Sequence, residues 1–142
     1  MINSRSLSDL LPQVAVKAYA LIKLCEEVHV PVIITSTYRD FETQNILYAQ
    51  GRASKAGPIV TWAKAGDSWH NWKRAFDVVP TFMGKPCWRT TGVEGQRWQK
   101  VGELGRSLGL EWGGDWLTRK DYPHFQLTEG HTLAELKKTA NL

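Results

Sequence analysis

The sequence predicts an α+β fold, a small and mostly antiparallel sheet flanked by helices, on three observations. Helical periodicity and short β-branched runs are mixed along the chain without the strict strand–helix alternation of a doubly wound sheet. The 142 residues are enough for one domain that buries its own core without metal or disulfide staples. The composition, 42% hydrophobic and 23% charged, is globular and excludes a disordered or fibrous chain. With no internal repeat or low-complexity tract, residues 1–142 are expected to form a single domain, with a core over about 8–128 and a C-terminal tail over 129–142.

The elements follow in order. Leu10, Val14, Ala18, Leu21, Cys25 and Val28 recur at three- and four-residue spacing, so Pro12 to Glu27 reads as an amphipathic helix with proline in its first turn. VPVIITSTYR is β-branched and short, a mostly buried strand ending near Tyr38 and Arg39. Asp40 is placed to cap a second helix, DFETQNILYAQ, which Gly51 ends. From Arg52 to Asp67 the chain is rich in Gly, Ala, Lys and Ser and reads as a long surface loop, a length at which loops often act as lids or rims. AFDVVP, Ala75 to Pro80, is a further strand, followed by an irregular GKPCWRTTG. Gln96 to Leu108 is a third helix with Trp98, Val101, Leu104 and Leu108 on one face and Gly109 as its C-cap. LEWGGDW and HFQL supply two more short strands, and Thr132 to Leu142 a short helix or a frayed end.

Eighteen basic against fourteen acidic residues give a formal charge of +4, which suits an anionic partner without choosing among them. The basic residues are scattered and no recognised motif accompanies them, so nucleic acid is not expected as a partner. Apolar residues between Leu10 and Leu24 are interrupted by Pro12, Gln13, Lys17 and Lys23, which argues against a signal peptide and against stable membrane insertion. Cys25 and Cys87 lack CxxC spacing and read as free thiols. Of the seven tryptophans, Trp69, Trp72, Trp88, Trp98, Trp112 and Trp116 lie in polar contexts, where amphipathic aromatics favour ligand clefts; most single tryptophans are nonetheless core.

Four histidines remain to be weighed. His29 and His131 read as surface or structural. His70 and His124 each stand at the edge of a predicted strand with a carboxylate close by, Asp77 after the first and Asp121 before the second. A catalytic zinc takes three His or carboxylate ligands at about 2.0–2.2 Å and keeps one position open. His70, Asp77 and His124 can provide that set if residues 71–74 turn the chain, and Asp121 is placed to accept and return a proton. Spacing alone leaves metal site, catalytic pair and unrelated polar residues all open.

Ser68, His70, Ala75 and Asp77 match four of the five fixed positions of S-x-H-x-x-G-x-A-x-D, and DYPH, Asp121 to His124, matches an acid-x-x-His element. With STYRDFETQNILYAQGR (Ser36 to Arg52) and EWGGDW (Glu111 to Trp116), these segments resemble, in order and over most of the chain, the LAS zinc peptidases of the M15 family, particularly their phage endolysin branch. The resemblance implies a hedgehog/D,D-peptidase-like fold. It implies one zinc ion on His70, Asp77 and His124, with Asp121 as general acid/base. Arg39 would stabilise an oxyanion or bind a substrate carboxylate, Trp112 would contact substrate, and Ser68 would contact substrate or support the site, although a serine there equally suits the cap of a turn. Lys73 departs from the motif, which has glycine there, and so leaves the turn between the first two ligands undetermined.

The leading expectation is therefore a monomeric endolysin that cuts the L-Ala–D-Glu bond of the peptidoglycan stem peptide, made in the host cytoplasm and reaching the wall after the membrane is opened. A D-alanyl-D-alanine carboxypeptidase or dipeptidase on the same fold is the alternative. A non-catalytic wall-binding module with structural zinc is disfavoured because no fourth ligand is evident.

Overall fold

Strand β2 (Ala75–Phe82) is the spine of the sheet in the computed structural model, which describes all 142 residues. It pairs antiparallel with β1 (Val32–Ser36) on one side and β5 (His124–Gln126) on the other, and β5 pairs with β4 (Glu111–Trp112), giving the order β1-β2-β5-β4. A two-residue β3 (Lys85–Pro86) folds back on the end of β2. Helices α1 (Pro12–Glu27), α2 (Phe41–Ala49), α3 (Gly92–Ser107) and α4 (Leu133–Thr139) complete the α+β architecture predicted from the sequence.

The periodicity of α1 is realised at Val14, Ala18, Leu21 and Cys25, which are fully buried; Leu10 is buried just before the helix, and Val28, its C-cap, is exposed. Cys25 is a free thiol whose pKa burial pushes up to about 12, so it behaves as a small apolar side chain. Asp40 caps α2 by accepting a hydrogen bond from the Thr43 amide at 2.8 Å. Helix α3 starts at Gly92, four residues before the expected Gln96, because Gly92 and Gly95 hide its first turn from a propensity reading.

Side chains alternate across the sheet. Phe76 and Val78 of β2, Phe125 of β5 and Trp112 of β4 join the core with α1 and α3. Two glycines of α3 make this packing possible. A Cβ at Gly102 would stand 2.3 Å from the Trp112 ring, and one at Gly105 would stand 2.2 Å from the Phe125 ring. The opposite face of the same strands carries Asp77, His124 and Gln126, and it opens into the one large cleft.

The expected tail, 129–142, is docked. Glu129 pairs with Arg74 at 2.8 Å and accepts from Gln13, while Lys137 of α4 reaches Asp67 at 2.8 Å.

Candidate active site

The antiparallel register sets Asp77 of β2 directly opposite His124 of β5. His124 Nδ1 lies 3.3 Å from Asp77 Oδ1. His70 arrives from outside the sheet. Its position differs from the expected strand edge: it lies in a short 3₁₀ turn, Trp69–Trp72, started by Ser68, whose Oγ accepts from the His70 amide. Lys73 then reverses the chain into β2 with φ 60° and ψ 28°, the left-handed conformation that glycine adopts freely. Lysine thus holds the glycine geometry. Its ammonium rests 4.9 Å over the Tyr38 ring and does not line the cleft.

This turn brings His70 Nε2 to 3.1 Å from Asp77 Oδ1, and the donor atoms of His70, Asp77 and His124 lie within 4.8 Å of one another. The far nitrogen of each ring is committed. His70 Nδ1 donates to the Thr37 carbonyl at 2.7 Å, and His124 Nε2 donates to Gln126 Oε1 at 2.7 Å. Gln126 is oriented in turn because its amide donates to Glu111 Oε2, which also accepts from Trp116 Nε1. With both outer nitrogens donating to protein acceptors, the inner nitrogens His70 Nε2 and His124 Nδ1 are the ones left facing the shared Asp77 carboxylate. That donor set fits a divalent cation, with the oriented outer partners typical of metal-binding imidazoles.

The three groups are electrostatically coupled through Asp77. Burial would raise the Asp77 carboxyl, but the charge of His70 and the hydrogen bonds of both histidines outweigh it and hold it well below the usual carboxylate range. Burial opposes charge on His124, yet its hydrogen bond to Asp77 and the charges of Asp77 and Asp121 raise it. Asp121 behaves in the opposite way to Asp77. Burial, with Asp77 adding to it, pushes its carboxyl upward despite the opposing histidines and Arg39.

Asp121 shares the cleft with the three donors, as do Ser68 and Arg39. Gly113 makes room for it: a Cβ there would stand 2.3 Å from the Asp121 carbonyl oxygen. Arg39 extends along the wall, donating to Gln44 Oε1 at 2.9 Å and to Ser36 Oγ at 3.4 Å, and its buried Nε has no partner. A register shift between Ile34 and Ser36 is what sets Ser36 opposite Asp77.

Trp112 is a correction to the sequence reading. It is 1% exposed, stacks on Phe125 in the core, and donates its indole N–H to the Tyr122 carbonyl at 2.7 Å. The reason is parity, since Trp112 pairs with Phe125 and Glu111 pairs with Gln126 on the cleft face. Trp69 and Trp116 do line the cleft, together with Trp62, which the sequence reading did not single out.

It also passed over Gln44, which is fully buried and joins three parts of the site. It accepts from Arg39 and Asn71 and donates to the Ala63 carbonyl at 2.7 Å. Gln126 was detectable, two residues after His124 and hence on its face; Gln44, in an ordinary amphipathic helix, gave no such signal.

Comparison with known proteins agrees with the geometry. Residues 61–127, which include His70, Asp77, Asp121 and His124, match the M15 peptidase family described as D-alanyl-D-alanine carboxypeptidase. The chain is 40% identical over 125 residues to the peptidoglycan L-alanyl-D-glutamate endopeptidase CwlK of Bacillus subtilis (strain 168), covering 84% of this chain and 74% of that one. Its structure resembles the Serratia marcescens L-Ala D-Glu endopeptidase ChiX, with a TM-score of 0.59, 26% identity and 89% of each chain covered. The fold is also that of the vancomycin resistance D,D-pentapeptidase VanY, whose structure is a complex with Zn(II): TM-score 0.62, 15% identity, 94% of this chain and 79% of that one. Forty per cent identity across most of both chains, on a shared fold, places the protein in the M15 family of peptidases, and it is a member of that family.

Proposed function

We propose that this protein is a zinc-dependent peptidoglycan hydrolase that cleaves the L-Ala–D-Glu bond of the stem peptide. The observation that carries the reading is the convergence of His70, Asp77 and His124, each histidine locked by an outer acceptor, in a chain 40% identical to an L-alanyl-D-glutamate endopeptidase. His70 Nε2, Asp77 and His124 Nδ1 would hold one zinc ion. Bound there, zinc would lower the pKa of a water toward about 7 and polarise the scissile carbonyl.

The remaining work falls to the side chains. Asp121, with its carboxyl raised, is suited to take a proton from the attacking water and return it to the departing amine. Arg39, held by Gln44 and Ser36, keeps a fixed positive charge on the cleft wall, where it would stabilise negative charge developing on the carbonyl oxygen. Ser68 supports His70 through its amide and stands at the cleft margin, within the reach of substrate.

Digestion of purified peptidoglycan with the zinc-loaded protein, followed by mass spectrometry of the new termini, tests the reading. Exposed D-Glu amines are expected. Release of D-Ala instead would establish the D,D-carboxypeptidase alternative, to which the family description points; no new termini would sink both. The finer proposal is a phage lysin that reaches the wall after the membrane is opened, supported by the endolysin-like segments Ser36 to Arg52 and Glu111 to Trp116 and by a +4 charge suited to an anionic wall. Added to permeabilised cells, it should clear the suspension, and persistent turbidity despite cleavage of isolated walls would reject lysis.

A further inference from the structure

The floor of the cleft is acidic and imidazole-rich, whereas its outer rim is basic and aromatic. Trp62, from the long segment after α2, leaves 60% of its surface exposed. Two guanidiniums gather on it: Arg119 lies 4.4 Å from the ring centroid and Arg52 lies 5.4 Å from it. Arg52 also stacks 3.9 Å over Tyr48, and the Lys64 ammonium is 5.4 Å from that same ring. Trp62 and Arg119 line the same cleft as His70, Asp77 and His124.

Three cations are thus crowded at one margin, and none of them is among the four lysine and arginine side chains that form an ion pair, Arg74, Lys100, Arg106 and Lys137. Arg119 is exposed, and its backbone stands at φ 51°, a left-handed conformation that residues with side chains seldom adopt. Unneutralised like charges repel, so this grouping is best satisfied by an anion from outside the protein. Stacking occupies the face of a guanidinium and leaves its N–H edge for bonds to a carboxylate; the edge of Arg119 is free for two parallel bonds, whereas Arg52 Nη1 already donates to the Tyr48 and Thr61 carbonyls and so adds mainly charge. A sugar ring is a poorer fit, because the tryptophan face it would need already carries arginine.

We propose that Arg119, Arg52 and Lys64, assembled around Trp62 and Tyr48, form a carboxylate-binding subsite for the stem peptide. The inference rests on the peptidase reading above and adds a direction to it. On the acyl side of an L-Ala–D-Glu bond there is one alanine joined to a neutral N-acetylated sugar; the carboxylates all lie on the D-Glu side. The subsite therefore receives the leaving-amine half of the substrate.

Two stem peptides of one sequence, with free and with amidated carboxylates, supply the test. Binding of each is measured by calorimetry and cleavage by steady-state kinetics. The wild type should bind and cleave the free form better, by about tenfold or more in KM, as expected for lost charge-assisted bonds. Arg119→Gln and Trp62→Ala should collapse that preference toward unity, with Arg119→Lys restoring it only in part, whereas Lys100→Gln on α3 should preserve it. Equal handling of the two peptides by the wild type, or an Arg119→Gln variant that keeps the full preference, overturns the subsite while leaving the peptidase reading intact. Failure of the wild type to cleave either peptide overturns that reading and the subsite with it.

Discussion

The two faces of the central sheet are built from the same strands, one residue out of step. Phe76, Val78, Trp112 and Phe125 point one way and are sealed under α1 and α3; Asp77, His124 and Gln126 point the other way into the cleft, with Glu111 beside Gln126 on that same face. The first face owes its order to close packing, with two glycines of α3 cut to fit two aromatic rings. The second owes its order to hydrogen bonds, a chain running from His124 through Gln126 to Glu111 and Trp116. Polar groups held this way stay ready for a ligand, which a packed face cannot do. The sheet therefore separates stability from chemistry by parity alone, and this separation can be tested.

The largest expected effect lies on the cleft side. Asp121→Asn should lower hydrolysis by roughly a thousandfold, in the range of lost general acid–base catalysis, with zinc content and the unfolding midpoint retained. A loss of bound zinc instead would mean that Asp121 holds the site together and does not act on the substrate. Next comes Gln126→Ala, which frees the outer nitrogen of His124. Zinc affinity should fall by about 10–100-fold, measured by competition with a chromogenic chelator, with little change in unfolding. Loss of stability without loss of affinity would break the division between the faces.

On the packed side, Gly105→Ala forces a methyl group into the Phe125 ring and should cost about 1–3 kcal/mol in urea unfolding. Any zinc weakening should be secondary to that loss. The smallest effect is a gain. Lys73→Gly relieves a left-handed lysine and should raise stability by roughly 0.5–1 kcal/mol, allowing for the chain entropy that glycine gives up, and leave hydrolysis unchanged.

The main helices and the longer strands were legible because each carries a local period, whereas the two-residue β3 fell in a segment read as irregular. Helix α1 matches its spacing from Pro12 to Glu27, and Asp40 caps α2 as its chemistry dictates. The three donors were legible through a motif, since His70 and Asp77 stand at a fixed interval. What escaped was set by pairing across the chain. Whether Trp112 faces core or cleft depends on its partner Phe125, a register that no local pattern encodes. His70 was expected at a strand edge, and its 3₁₀ turn depends on Ser68, Thr37 and a left-handed Lys73 acting together. The rim around Trp62 joins residues 48, 52, 64 and 119, whose closeness arises only in the folded chain.

The pairing of Asp77 with His124 also makes residue count a matter of selection. An extra residue in the exposed stretch Leu117 to Lys120 leaves every strand residue on its own face, so the fold should accept it, although it would displace Arg119 from Trp62. The same insertion between His124 and Phe125 would turn Phe125 toward the cleft and Gln126 toward the core, spoiling both faces at once. Length variation among descendants of this chain should therefore gather before Asp121 and stop at β5.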